Sequence, residues 1–110
     1  AASLAHLKLA KLGGLDRLAE AARLLKAAGI GLMVGQMNEG AVSTVAVAQL
    51  AIALDAPFRE LYGADGLVGE AAAPSPVYAS GLLHMPPGPG LGLDHYAIAP
   101  TTPVIWDSEP

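Results

Sequence analysis

Apolar residues recur at three- and four-residue steps from Leu15 to Ala28. Leu15, Leu18, Ala22 and Leu25 fall on one side, with Asp16, Arg17, Glu20, Arg23 and Lys26 largely elsewhere. That period predicts an amphipathic helix. Asp16 in its first turn and Arg23 and Lys26 near its last have the signs that the helix dipole favours, and Gly29 is a stop signal. Ile30 to Val34 is an apolar run of strand length without alternation. A parallel strand buried on both faces has that pattern. Gly35 to Gly40 reads as a loop. Ala41 to Leu54 reads as a second helix, apolar nearly all round, so it needs cover on most sides. Asp55-Ala56-Pro57 breaks it, and Phe58 to Tyr62 is a short strand candidate. Before all of these, Leu4 to Leu9 predicts the end of a strand and Lys11-Leu12-Gly13-Gly14 a turn.

The texture changes after Gly63. Helical periodicity stops, and Gly and Pro become frequent. Val77 to Met85 is expected to give short antiparallel strands, Pro86-Pro87-Gly88-Pro89-Gly90 a rigid bend, and the tail from Pro100 to fray. The order strand, helix, strand, helix, strand with short loops predicts an α/β fold with parallel neighbours and right-handed crossovers. Three parallel strands neither close a barrel nor cover a sheet, so the remaining strands are expected from elsewhere.

Composition strengthens that expectation. Among 110 residues, 53% are hydrophobic and 15% charged, against about 25% charged in an ordinary soluble domain. The chain reads as buried material belonging to something larger. A net charge of −4 without a basic run argues against nucleic acid as a partner. The absence of cysteine rules out disulfides and thiolate chemistry and fits the cytoplasm. Lys8 and Lys11 follow the first apolar stretch rather than precede it, so no signal peptide is expected. The longest apolar run, Val45 to Leu54 around Gln49, is shorter than the roughly 20 residues that span a bilayer, so no membrane partner is expected.

Three residues carry candidate chemistry. Lys8 ends the first strand, and in a barrel the C-terminal strand ends build the active site. A lysine held there among apolar neighbours can donate a proton or stabilise an enolate oxygen; the competing reading is a snorkelling surface side chain. Glu39 and Glu60 follow or end strands and point to the same rim, which would complete an acid–base set. Glu39 also precedes the helix at Ala41, where stabilisation by the dipole alone accounts for a carboxylate. Lys11 belongs to a turn and reads as solvated. His6, His84 and His95 lack metal-ligand spacing and read as structural. Gly88-Pro89-Gly90-Leu91-Gly92 has a proline inside and no helix after it, so a dinucleotide loop is excluded by context.

Several segments resemble one family in order and spacing. Leu7-Lys8-Leu9-Ala10-Lys11-Leu12-Gly13-Gly14-Leu15 resembles the lysine-bearing sixth strand and turn of the muconate-lactonizing (muconate cycloisomerase) group of the enolase superfamily. Glu20 to Gly35 resembles its next helix and seventh strand. Gln36-Met37-Asn38-Glu39-Gly40 resembles its Thr-Met-Leu-Glu-Gly segment, departing at Gln36 and Asn38. Glu60-Leu61-Tyr62-Gly63 resembles the Glu-Leu-Phe-Gly of its eighth strand, and Pro89 to Asp94 its closing Pro-Gly-Leu-Gly motif.

The resemblance implies the C-terminal portion of a (β/α)8 (TIM-type) barrel. Residues 1–62 would supply strands six to eight, and 63–110 a segment packing on a capping domain absent from this chain. It implies an isomerase of aromatic catabolism: a metal-dependent cycloisomerase acting on a small carboxylate such as cis,cis-muconate through an enolate-like intermediate. Lys8 and Glu60 would be catalytic, Lys8 assisting electrostatically, while Glu39 and Gln36 would contact substrate. Mg2+ or Mn2+ would be held by three carboxylates on strands outside this chain. A homo-oligomer is expected. Dipeptide epimerases of the group carry Asp-x-Asp where Glu60 falls, which favours a cycloisomerase. A racemase, epimerase or dehydratase of an amino-acid derivative is the alternative on the same fold, and a non-catalytic scaffold segment the alternative in kind.

Overall fold

The computed structural model describes residues 2–96. Its centre is a three-stranded parallel sheet in sequence order: β1 (Leu4–Lys8), β2 (Gly31–Gly35) and β3 (Phe58–Glu60). A helix crosses over between each pair, α2 (Leu15–Ala27) and then α3 (Ala41–Ala53). This is the arrangement that the hydrophobic pattern predicts. It differs just after β1, where Leu9–Leu12 form one helical turn, α1, instead of a turn beginning at Lys11. Gly13 ends it in the left-handed region (φ 79°), donating its N–H to the Leu9 carbonyl at 2.8 Å. A side chain is strained in that region and glycine is not. The third strand is also shorter than expected, ending at Glu60 and not Tyr62.

Strand residues alternate between two unlike faces. On one face Val34 packs with Val47, Ala51 and Ala56, flanked by Leu9 and Leu61. The inward residues of α3 include Ala41, Ala48 and Ala51, all buried, and small side chains let a helix approach the sheet closely. Burying a side chain such as Val34 or Val47 contributes about 1.5–3 kcal/mol. α2 adds Leu18 and Ala22, both with no exposed surface. Lys26 donates from α2 to the Leu54 carbonyl at the end of α3, where a cation meets the negative end of the helix dipole. The apolar surface of α3 is not fully covered among the described residues: Val42 and Ile52 are exposed. The opposite sheet face carries Leu4, His6, Lys8, Phe58 and Glu60, and Leu4 and Phe58 there are exposed.

Beyond β3 the chain makes a short 3-10 turn, Gly63–Gly66, then β4 (Ala72–Ala73), β5 (Val77–Ala79), β6 (Leu82–His84) and β7 (His95–Tyr96). β5 and β6 form an antiparallel hairpin, as expected for Val77 to Met85, and β4 pairs antiparallel with β7. Polar ties hold this segment to the α/β part. Glu70 Oε2 accepts from Ala41 N–H at 2.6 Å, Gln49 Nε2 donates to the Gly90 carbonyl at 2.6 Å, and the Tyr78 hydroxyl donates to the Leu61 carbonyl at 2.8 Å. The expected fraying from Pro100 falls outside the described residues. Among the described residues no helix is long and apolar enough to cross a membrane.

Candidate active site at the C-terminal strand ends

Lys8, Gly35 and Glu60 occupy one rung of the sheet, because Lys8 is in register with Gly35 and Gly35 with Glu60. Each is the last residue of its strand. Parallel strands put all three at the same rim, and register partners share a face. Gly35 has no side chain of its own, so the lysine and the carboxylate meet across it. Lys8 Nζ lies 3.3 Å from Glu60 Oε2 and donates to the Gln36 carbonyl at 2.7 Å. The Lys8 side chain is only 17% exposed, so it is a held ammonium and not a snorkelling surface lysine. Lys11 is exposed on α1, as a solvated lysine should be.

His6 joins this pair. Its Nε2 lies 3.2 Å from the same Glu60 Oε2. Oε2 is completely buried, yet neither approach is aligned as a hydrogen bond. Both are close approaches to Oε2 without hydrogen-bond alignment. The sequence reading of His6 as structural missed this. The available signal was the two-residue spacing of His6 and Lys8 on a strand, which puts both side chains on one face.

The other two expected residues have different surroundings. Glu39 lies in the loop between β2 and α3. Its Oε1 accepts from Met37 N–H at 2.9 Å, its Oε2 accepts from the Ser43 hydroxyl, and its carbonyl accepts from Thr44 at 3.3 Å. These are the contacts of a carboxylate that organises the entry to a helix, the competing reading given above. Gln36, expected to contact substrate, has a fully buried side chain. Its Nε2 donates to Thr44 Oγ1 at 3.0 Å, and its Oε1 accepts from Gly63 N–H at 3.4 Å. Buried amides need such partners. The atom Gln36 offers to the site is its main-chain carbonyl, which holds Lys8. His84 and His95 lie in the antiparallel pieces, both exposed. Among the described residues no three His, Asp or Glu side chains come together as a metal site.

Comparison with known proteins agrees with this geometry. The enolase C-terminal domain-like family model matches residues 1–97. The chain is 40% identical over 95 residues to muconate cycloisomerase 1 of Pseudomonas putida, an alignment covering 84% of this chain and 25% of that protein. The structure of muconate lactonizing enzyme from Pseudomonas putida superposes with a TM-score of 0.75 at 40% identity, covering 83% of this chain and 26% of that one. A dipeptide epimerase from Methylococcus capsulatus, complexed with Mg ion, superposes with a TM-score of 0.71 at 33% identity, covering 83% and 27%. The chain thus spans about a quarter of the length of the curated relatives it matches. With parallel strands joined by helices, a lysine and a glutamate at their C-terminal ends, and a family match over nearly all of its length, this chain belongs to the enolase C-terminal domain-like family and has the fold of the C-terminal part of a (β/α)8 barrel.

Proposed function

We propose that this chain forms the last part of the barrel of a cycloisomerase acting on a small carboxylate such as cis,cis-muconate, with Lys8 and Glu60 on the catalytic rim. The observation that carries the proposal is the placement of Lys8. It is a nearly buried ammonium at a strand end, held by the Gln36 carbonyl and facing Glu60 across a glycine. An ammonium has three donors, and Gln36 takes one. The remainder can face negative charge as it develops on a substrate, in a water-poor site where a fixed donor acts strongly. Glu60 keeps Lys8 in place and provides a carboxylate beside the reacting atoms.

The rest of the barrel, a capping domain and a homo-oligomeric partner belong to this proposal. The exposure of Leu4 and Phe58 on the same sheet face as Lys8 and Glu60 supports it, because a closed barrel buries that face. Residues 63–110 are proposed to pack on the capping domain. A divalent cation, Mg2+ or Mn2+, would bind carboxylates outside this chain. The described residues do not form a ligand set for it.

A second reading, epimerisation of a dipeptide, is favoured by the epimerase neighbours. One of these, the L-Ala-D/L-Glu epimerase from Bacillus subtilis, has a TM-score of 0.75 at 26% identity. Lys8 would then move a proton instead of stabilising charge. The test is turnover of cis,cis-muconate and of L-Ala-L-Glu by the intact protein carrying this segment, before and after Lys8→Ala. Muconate turnover abolished by the substitution supports the cycloisomerase, and dipeptide epimerisation without muconate turnover replaces it with the second reading. Muconate turnover that survives Lys8→Ala removes Lys8 from the chemistry.

A further inference from the structure

We infer that His6 is a positioning residue for Glu60, and that Gly35 is the gap through which it reaches. The inference rests on the proposal that Lys8 and Glu60 are the working pair. His6 is in register with Met33, two positions below the Lys8–Gly35–Glu60 rung and so the next rung down on the same face, and it is two strands away from Glu60. Its ring nevertheless comes within 3.2 Å of Glu60 Oε2. The ring does so by lying over Gly35. A Cβ at position 35 would run into His6 Nε2 and would lie 2.9 Å from Glu60 Oε2. Gly35 is in extended backbone, so space and not dihedral freedom requires glycine there.

The consequence for Glu60 follows from the geometry. Lys8 holds Oε2 from the same rung at 3.3 Å, and His6 holds it from the rung below at 3.2 Å. One contact fixes a distance, whereas two from different residues confine the position of Oε2 itself. Oε2 is thereby buried, although the Glu60 side chain as a whole is 36% exposed. A site that orients its charges in advance avoids reorganising them during reaction. Unaligned contacts of this kind commonly tighten only when substrate is bound. His6 acts through Glu60, so its loss is expected to affect turnover more than binding.

The test uses the intact protein carrying this segment, with cis,cis-muconate as substrate. His6→Ala is expected to lower kcat roughly tenfold, the size of one pairwise coupling in a shared network, with little change in KM. His6→Gln places an amide nitrogen near the former Nε2 and is expected to recover most of that loss. Gly35→Ala is expected to cost about as much as His6→Ala, and to cost little more once His6 is alanine, because the ring it displaces is gone. Melting temperatures of the same variants identify any loss due to unfolding. A second readout needs no substrate: the His6 ring Hε1 resonance is expected to move on Glu60→Gln and on Gly35→Ala.

Additive costs of His6→Ala and Gly35→Ala overturn the inference, as does a His6→Gln protein no better than His6→Ala. A His6 resonance indifferent to Glu60 also overturns it. Failure of the underlying proposal looks different: Lys8→Ala then turns over muconate normally. If Lys8→Ala is inactive while His6→Ala works like the parent, only the positioning role falls.

Discussion

Glu70 Oε2 accepts a 2.6 Å hydrogen bond from the backbone N–H of Ala41, the first residue of α3, from 29 positions downstream. The residue before the helix is Gly40, which has no side chain to cap with. Glu70 also accepts from Ala71 N–H at 2.8 Å and Ala72 N–H at 3.1 Å. One carboxylate therefore caps α3 and organises the start of β4, tying the tail segment to the α/β part.

Glu70→Ala is expected to lower stability by about 1 kcal/mol, the ordinary cost of losing a helix cap. Glu70→Gln keeps an acceptor and should lose less, since what remains missing is the charge at the positive end of the helix. Thermal melts of the intact protein check both. A Glu70→Ala protein with an unchanged melting temperature would mean that water caps α3 as well as Glu70 does.

Gln36 gives a prediction that separates scaffold from substrate contact. Its amide bridges Thr44 and the Gly63 N–H in a fully buried position. Thr44 keeps its bond to the Glu39 carbonyl when Gln36 is removed, but the Gly63 N–H loses its partner. An unpaired buried donor costs about 1–3 kcal/mol, and the emptied space adds to that. Gln36→Ala should therefore reduce the melting temperature clearly. Its main chain still accepts from Lys8, so KM should stay within a small factor. A raised KM at unchanged stability would return Gln36 to the substrate contacts.

Most of the α/β order was legible because its residues answer to one local rule each. Leu15, Leu18, Ala22 and Leu25 mark a helix by period, Gly29 stops it, and the apolar run from Ile30 to Val34 marks a strand, although in β2 Leu32 and Val34 are buried while Gly31 and Met33, on the other face, are only half-buried. Lys8 and Glu60 were legible as strand-end residues, and the sheet brings them to 3.3 Å. Contacts made across the sheet or from far along the chain were not legible. His6 reaches Glu60 only because Gly35, on a strand between them, lacks a side chain. Gln36 is buried only because Thr44 and Gly63 close over it. Glu70 reads as one more loop carboxylate until the tail folds back onto α3. In each case the deciding partner is remote in sequence; the local pattern puts His6 on the face of Lys8 but does not name Glu60 as its partner.

Tyr78 gives the pH dependence. Its hydroxyl donates to the Leu61 carbonyl at 2.8 Å, fastening the β5–β6 hairpin beside β3. Burial pushes the phenol up from its ordinary value, since a buried site disfavours the phenolate. The fold thus favours the neutral form. The stability this contributes is fully present below the ordinary phenol value of about 10 and is lost as pH rises through the higher folded value. Tyr78→Phe should cost about 1 kcal/mol near neutral pH and should flatten part of the alkaline loss above pH about 10. Denaturant melts from pH 7 upward, parent against variant, test this. Parallel stability curves would show that other groups dominate the alkaline limb.

The comparison of Lys8 with Lys11 is the sharpest test of the site, because the two lysines are neighbours with opposite surroundings. Lys8 is nearly buried, donates to the Gln36 carbonyl and faces Glu60. Lys11 is exposed on α1. If the chain has the proposed cycloisomerase function, Lys8→Ala removes a fixed donor from the closed site, a loss worth roughly 3–4 kcal/mol, or about a 10²–10³-fold drop in kcat on cis,cis-muconate. Lys8→Arg should fail as well. A planar fork cannot occupy the place of a compact ammonium between one carbonyl and one carboxylate oxygen. Glu60→Gln keeps shape and loses charge, so it should lower kcat while leaving the melting temperature nearly unchanged. Lys11→Ala should leave kcat, KM and melting temperature where they were, because its ammonium is solvated. Steady-state kinetics on the four variants of the intact protein decide the matter. Equal losses at Lys8 and Lys11 would trace the effect to net charge instead of position, and the strand-end geometry would then be scaffold alone.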